Sequence, residues 1–232
     1  MLEEILKSGF EHMGISAHGD AVRRFRLYND FLAEKNQVMN LTAINGEDET
    51  ARLHFLDSLS PMLRFDFAGK TVVDVGTGAG FPGLPLKIAC PQLSLTLIDS
   101  LNKRVDFLRE AVRMLELEAD CIHARAEECG GMRGRFDFAV SRAVARLNIL
   151  CELCLPYVKV GGAFLALKGP MAAEELAQAD TAIKTLGGEC EELFEYSIPD
   201  IQLSHKIVII RKVSKTPKAF PRRYAIIKGS PL

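Results

Sequence analysis

The stretch Val72-Val73-Asp74-Val75-Gly76-Thr77-Gly78-Ala79-Gly80-Phe81-Pro82-Gly83 constrains this chain more than any other. An apolar, β-branched run enters it, a helical pattern leaves it, and glycines stand between. Glycine lets a backbone turn tightly and approach a ligand with no Cβ in the way. A strand, a glycine turn and a helix in that order form the first unit of an open α/β sheet, where ligands bind beyond the strands' carboxyl ends. Gly78-x-Gly80-x-x-Gly83 also fits the dinucleotide fingerprint, whose glycines seat a pyrophosphate at a helix N-terminus. Asp74 argues for another ligand. Its carboxylate, two residues before the first glycine, would repel a pyrophosphate and suits a cationic amino group. Pro82 and Pro85 occupy the opening of the helix, where a missing N–H costs least.

Acidic residues recur at later strand ends. Asp99 closes the apolar run from Leu95, and its carboxylate can accept both hydroxyls of a ribose. NAD and S-adenosylmethionine each carry one, so Asp99 points to a nucleoside without choosing the cofactor. Glu127, after Ala126, can accept from an adenine amino group. Taken singly, Asp74, Asp99 and Glu127 read equally well as caps at strand ends; in register with a glycine turn they read as a site.

Around this unit the periodicity divides the chain. Residues 1–65 are helical in character, with apolar faces at Leu2, Ile5, Leu6, Phe10 and Met13, then at Val22, Phe25, Tyr28 and Leu32. A polar break at Asn36–Asn45 precedes a third helix near Ala51–Leu63, with Pro61 interrupting its end. From Lys70 short apolar runs alternate with helical patterns. A helix is expected through Leu147 to Val158, a turn at Gly161-Gly162, a strand AFLALK, and a helix from Ala172 to Leu186. Two closing runs, Glu191–Ser197 and Ser204–Lys212, have no helix between them and must pair as a hairpin. Five strands linked by helices imply right-handed crossovers in a parallel sheet covered on both faces. The hairpin makes the sheet's end mixed. The domain reading is 1–65 helical extension, 66–213 cofactor-binding domain and 214–232 basic tail.

Composition excludes several classes. With 48% hydrophobic residues the chain can bury a core, which rules out disorder and fibrous repeats. No apolar run of ~18 residues spans a membrane, and the acids Glu3 and Glu4 stand where a signal peptide is basic. Cysteines at 90, 121, 129, 151, 154 and 190 are then expected as free thiols of a reducing, cytoplasmic setting. Cys151 and Cys154 form a CxxC, but no second ligand pair at zinc spacing accompanies it, so no metal is expected and both thiols read as core. The net charge of −1 conceals an asymmetry. Residues 211–232 carry seven basic side chains and no acid, against −8 for the rest. Phe220 and Tyr224 interleave with Arg222, Arg223 and Lys228, a pattern suited to stacking beside phosphate contacts. On that reading, loss of residues 215–232 harms action on a nucleic acid more than cofactor binding.

The chain resembles the GidB, or RsmG, family of small-subunit ribosomal RNA methyltransferases. The resemblance covers nearly the whole length. It rests on Asn40-Leu41-Thr42-Ala43, His54-Phe55-Leu56-Asp57-Ser58, the glycine turn, Leu97-Ile98-Asp99-Ser100 with Lys103-Arg104, Ser141-Arg142-Ala143, Ala166-Leu167-Lys168-Gly169 and Phe220-Pro221-Arg222-Arg223. The tail departs from the family's Arg/Lys-Ala-Gly ending at Tyr224–Gly229. The resemblance implies a Rossmann-like class I S-adenosylmethionine-dependent methyltransferase fold: a mostly parallel seven-stranded sheet with an antiparallel end hairpin. It implies methylation at guanine N7 of 16S ribosomal RNA, free or within the small subunit. It places Gly76, Thr77, Gly78 and Phe81 around the methionine part of the cofactor, Asp99 on the ribose, Ala126 and Glu127 beside the adenine, and Arg142 at the methyl-transfer side.

Other roles stay open on the residues alone. Arg142 is either a bidentate contact to guanine O6 or phosphate, or a surface arginine paired with an acid. His54 and Asp57, three apart and hence on one helix face, either shape the substrate entrance or brace the helix. Asn40 and Thr42 are RNA-facing or simple turn and cap residues. Lys168, Arg222 and Arg223 are candidate RNA contacts. Competing functions are a NAD(P)-dependent oxidoreductase, which lacks an evident Tyr-x-x-x-Lys or catalytic histidine motif here, and a non-catalytic RNA-binding module.

Overall fold

The computed structural model describes residues 1–232 apart from Asn45, Ala143 and Leu203. The last residue of the Ser141-Arg142-Ala143 motif and the end of the polar break at Asn45 therefore lie outside the described residues. Helix α1 (Leu2–Met13) begins with Glu3 and Glu4 in its first turn, where negative charge suits the helix dipole. Helix α2 (Ala21–Met39) ends at Asn40, which takes the left-handed conformation (φ 49°) that caps a helix C-terminus. Helix α3 (residues 47–63) is irregular: an α turn Glu47–Glu49, a π segment Thr50–Leu56, another α turn Asp57–Leu59 and a 3₁₀ end Ser60–Leu63 that contains Pro61.

Seven strands follow: β1 (Thr71–Val75), β2 (Ser94–Asp99), β3 (Ala119–His123), β4 (Phe136–Arg142), β5 (Val158–Lys168), β6 (Gly188–Tyr196) and β7 (His205–Lys212). They form one sheet in the order β3-β2-β1-β4-β5-β7-β6. The first five are parallel, while β7 runs antiparallel between β5 and β6. The strand order reverses at β1, whose neighbours are β2 and β4, so the crevice where ligands bind in such sheets opens at the end of β1.

Helices α4 (Gly83–Ala89), α5 (Asn102–Met114), α6 (Leu147–Cys154) and α7 (Ala172–Thr185) connect the strands, and a short α8 (Tyr224–Gly229) closes the chain. Alternation along β1 sorts the faces. Val72 belongs to a cluster shared with Leu2, Phe25 and Phe55 of the N-terminal helices, whereas Val73 and Val75 pack with Leu147, Cys151 and Ile183. Both faces being covered, the central strands are buried almost throughout, and α1–α3 share one core with the sheet.

Two local expectations are corrected. Helix α6 stops at Cys154, because Pro156 enters a 3₁₀ turn Leu155–Tyr157, and Val158 already starts β5. Gly161-Gly162 is not a turn but an irregularity inside that strand, where the β4–β5 register shifts. A Cβ on residue 162 would meet the carbonyl oxygen of Asp137 at 2.4 Å, so glycine permits the close approach. The C-terminal segment packs against the rest of the chain. Ile227 is fully buried, Phe220 and Tyr224 pack on the same cluster, and Arg222 holds the buried Glu152 through its backbone N–H (2.7 Å) and its guanidinium (2.7–3.1 Å). Cys151 and Cys154 are buried in α6, and burial pushes both thiols up, which suits core packing rather than chemistry.

Candidate active site

Three cavities open along the carboxyl ends of the strands. The first, about 580 Å³, is lined by Thr77, Gly78, Phe81 and His54. The second, about 150 Å³, is lined by Ala124, Ala126, Glu127, Leu153 and Tyr224. The third, about 490 Å³, is lined by Leu167, Lys168, Tyr196 and His205. Certain residues belong to more than one: Gly76 and Asp99 line the first and second, Asp57 and Arg142 the first and third. Val144, 43% exposed just beyond β4, lines all three.

The glycine turn shapes the first junction. Gly76 has φ +71°, and a Cβ there would lie 2.8 Å from the Val144 side chain, so only glycine keeps the passage open. Asp99 sits beside it. One of its carboxylate oxygens accepts the Gly78 N–H (3.0 Å), the other the Leu101 N–H (2.9 Å). A carboxylate oxygen has two acceptor sites, so each keeps one, with the Arg104 guanidinium 3.6 Å from Oδ2. A carboxylate with acceptor capacity left between two cavities fits a vicinal diol whose substituents extend to either side.

Asp74 does something other than expected. Alternation turns it to the face covered by the N-terminal helices, where it is fully buried and lines none of the three cavities. One oxygen accepts the Thr77 hydroxyl (2.7 Å) and the Gly83 N–H (2.8 Å), clamping the turn, while the other has no partner among the described residues. Burial pushes this carboxyl up to about 7, against the lowering effect of those hydrogen bonds. Its electrostatic preference for a cationic ligand over a pyrophosphate therefore fails as an argument, since the group neither faces the ligand nor carries a full charge near neutrality.

Between the first and third cavities stands Arg142, from the end of β4. Its Nη1 donates to Asp57 Oδ2 (2.7 Å) and to the carbonyls of Leu53 (3.0 Å) and His54 (3.4 Å); its Nη2 meets His54 Nδ1 (3.1 Å). The guanidinium also lies 5.0 Å from the centroid of Phe81, whose other neighbours include the His54 ring, stacked at 4.3 Å. Its Nε–H has no hydrogen-bond partner among the described residues.

His54 and Asp57 do share a helix face, and what they share it for is Arg142. Because Arg142 can only donate, His54 Nδ1 must accept; Nε2 then carries the hydrogen and donates to Thr42 Oγ1 (2.7 Å). Burial, with the Arg142 charge beside it, pushes the imidazole down to about 3, so it is neutral at working pH. Burial alone would raise the Asp57 carboxyl. The His205 hydrogen bond (2.9 Å), the Arg142 charge and the Tyr196 hydroxyl (2.6 Å) outweigh that and hold it below the ordinary carboxylate range.

The remaining candidates are placed as follows. Gly76, Thr77, Gly78, Phe81, Asp99, Ala126, Glu127, Arg142 and His54 line the first two cavities. Lys168 lines the third, but its ammonium is held by Glu175 (2.7 Å) and the Ala145 carbonyl (2.7 Å), which leaves little for an RNA phosphate. Asn40, as the cap of α2, lines a separate cavity between α2 and α3. Arg222 is occupied by Glu152, whereas Arg223 is exposed. Of the other basic residues after Ile210, Arg211 pairs with Glu191 and Lys212 is buried, while Lys215, Lys218 and Lys228 are exposed. Sequence reasoning missed Val144, Tyr196 and His205. The last two are cross-strand partners at the β6–β7 end; their signal was a polar aromatic and a histidine at facing ends of a hairpin. No group of three or more His, Cys, Asp or Glu able to hold a metal occurs among the described residues.

Comparison with known proteins follows the same lines. The family model GidB, rRNA small subunit methyltransferase G, matches residues 21–203. Proteins named Ribosomal RNA small subunit methyltransferase G are similar over nearly full length. That of Alkaliphilus metalliredigens (strain QYMF) is 47% identical, covering 94% of both chains. That of Clostridium perfringens (strain SM101 / Type A) is 44% identical, covering 99% of this chain and 98% of its own. Among solved structures, M. jannaschii TYW2 in complex with AdoMet matches 68% of this chain and 76% of its own, with TM-score 0.56 and 13% identity. The Aquifex aeolicus tRNA (m1A58) methyltransferase TrmI matches 68% and 69%, with TM-score 0.53 and 15% identity. At such identities these structures speak to the fold alone.

Proposed function

The chain belongs to the GidB family of rRNA small subunit methyltransferases, and on that premise we propose that it methylates N7 of a guanine in 16S ribosomal RNA. The methyl donor is S-adenosylmethionine, which supplies an activated methyl group on a sulfonium. Its dimensions suit the paired cavities: Gly76, Thr77, Gly78 and Phe81 would hold the methionine part, Asp99 the ribose hydroxyls, and Ala126 with Glu127 the adenine. The target base enters the third cavity, across Arg142.

The observation that carries this reading is the state of the groups around Arg142. Guanine N7 offers a lone pair and no proton, so its methylation needs no general base. None is offered. The basic nitrogen of His54 already accepts from Arg142, and Asp57 accepts from Arg142, Tyr196 and His205 at once. What remains for these residues is orientation, for which effective molarity can supply roughly 7–11 kcal/mol of the barrier. Arg142, fixed on the N-terminal helices by several acceptors, keeps its Nε–H for the base, where guanine O6 is the acceptor next to N7. Lys168 and Glu175, paired with each other, bring no net charge to the cavity wall.

The test is methyl transfer from labelled donor to small ribosomal subunits lacking the modification. Enzyme-dependent label in the RNA is expected. No incorporation into any form of small-subunit RNA, naked or assembled, would overturn the proposal.

A further inference from the structure

The C-terminal segment presents an aromatic ring where the sequence alone promised only RNA contacts. Tyr224 opens α8 and lines the 150 Å³ cavity together with Ala126, Glu127 and Asp99. On its other side it lines a shallower cavity with Arg223, Arg125 and Glu128, so the ring is a wall between the two. Its position is fixed from both directions along the chain. Two residues before it, Arg222 grips the fully buried Glu152 of α6 in a bidentate pair, and three residues after it Ile227 is buried without exposure. The Arg125 guanidinium, which lines both cavities, lies 5.8 Å from the ring centroid.

We propose that Tyr224 is a cofactor-binding residue: the segment 220–229 is a strap latched on Glu152, and its tyrosine ring closes the adenine end of the S-adenosylmethionine site. The proposal rests on the cofactor reading above and adds to it a wall of the site from the far end of the chain. A purine is the ligand the wall suits. The cavity is small, its side chains Leu153 and Val144 are apolar, and Glu127 stands at its rim as an acceptor for an exocyclic amine. A ring of this type gains from stacking against any π-face. The basic residues of the segment divide accordingly. Arg222 serves the latch, while Arg223 and Lys228 stay exposed for other contacts.

The chain has no tryptophan, so Tyr224→Trp would place one fluorophore at this wall in the full-length protein. Adding S-adenosylhomocysteine should change its emission, with a midpoint matching the affinity measured by calorimetry. Tyr224→Ala should weaken S-adenosylhomocysteine by about tenfold, the loss expected when one stacked aromatic is removed. Tyr224→Phe, which keeps the ring, should restore affinity to within about twofold. Thermal melting of each variant without ligand checks that the latch still holds. Wild-type affinity in Tyr224→Ala, or a tryptophan at 224 that responds to RNA and not to S-adenosylhomocysteine, would overturn the strap and leave the enzyme reading intact. A wild-type protein that binds no S-adenosylhomocysteine would overturn both.

Discussion

At the residue scale, the site is organised by one arginine and the groups that keep it still. Arg142 does pair with an acid, but part-buried at a cavity wall rather than on the surface, and its Nε–H and one Nη2 hydrogen have no partner among the described residues. Lysine retains the charge but has no planar fork with which to reach Asp57, His54 and two carbonyls together. Arg142→Lys should therefore lower turnover on ribosomal RNA by at least about tenfold, since small misplacements at a reacting centre are costly; unchanged turnover would show that the fork does not orient the base. His54 permits a sharper check. Its imidazole is pushed down to about 3 in the fold, whereas the unfolded chain protonates near 6.5. A group lowered in this way stabilises fully above its unfolded value and loses that contribution as pH falls towards the folded one. The stability advantage of wild type over His54→Asn, from urea unfolding, should shrink by about 2 kcal/mol between pH 7 and pH 5. Asp74, pushed up to about 7, has the opposite sign, losing its contribution as pH rises through 7, but both proteins carry it and it cancels. An advantage independent of pH would mean that His54 titrates normally.

At the scale of elements, the glycine turn and the strand ends were readable from residue order because the constraints there are local. A β-branched run, glycines and a helix start leave few alternatives, and carboxylates at successive strand ends fall on one side of a parallel sheet. What could not be read was the direction of each side chain. Asp74 and Asp99 look alike in sequence, yet alternation along β1 buries the first under the N-terminal helices, while Asp99 lines two cavities at the end of β2. Gly161-Gly162 has the composition of a turn; only the pressure of the Asp137 carbonyl from the neighbouring strand shows it to be a strand irregularity. Gly76 offers the corresponding test at the turn. With φ +71° and Val144 2.8 Å from where a Cβ would stand, Gly76→Ala should weaken S-adenosylhomocysteine by more than about tenfold, through left-handed strain of about 1–2 kcal/mol and displacement of Val144. Calorimetry reading an unaltered affinity would show that the passage tolerates a methyl group.

At the scale of the whole molecule, the site is assembled from three distant parts of the chain. Residues 40–57 bring His54, held by Thr42, and Asp57; the sheet brings Asp99 and Arg142, and the hairpin with the C-terminal segment brings Tyr196, His205 and Tyr224. That is why pairings such as Asp57 with His205 or Arg222 with Glu152 were invisible in sequence: each joins residues tens of positions apart. Because Leu2, Phe25 and Phe55 share a cluster with Val72 and Leu95, we expect the N-terminal helices and the sheet to unfold together. Circular dichroism and tyrosine fluorescence should trace one coincident urea transition, whereas a separate early transition would mark the helices as an independent unit. The central claim, that an arrangement with no base exposed to the cavity serves a nitrogen that carries no proton, is tested by the chemical identity of the product. A guanine methylated at N7 carries a positive ring charge that labilises it to borohydride reduction and aniline cleavage of the RNA. Small subunits treated with this protein and S-adenosylmethionine should gain one new cleavage in 16S RNA, and digestion should yield 7-methylguanosine. Label recovered instead in a methylated exocyclic amine, a ribose or a pyrimidine carbon would contradict the account.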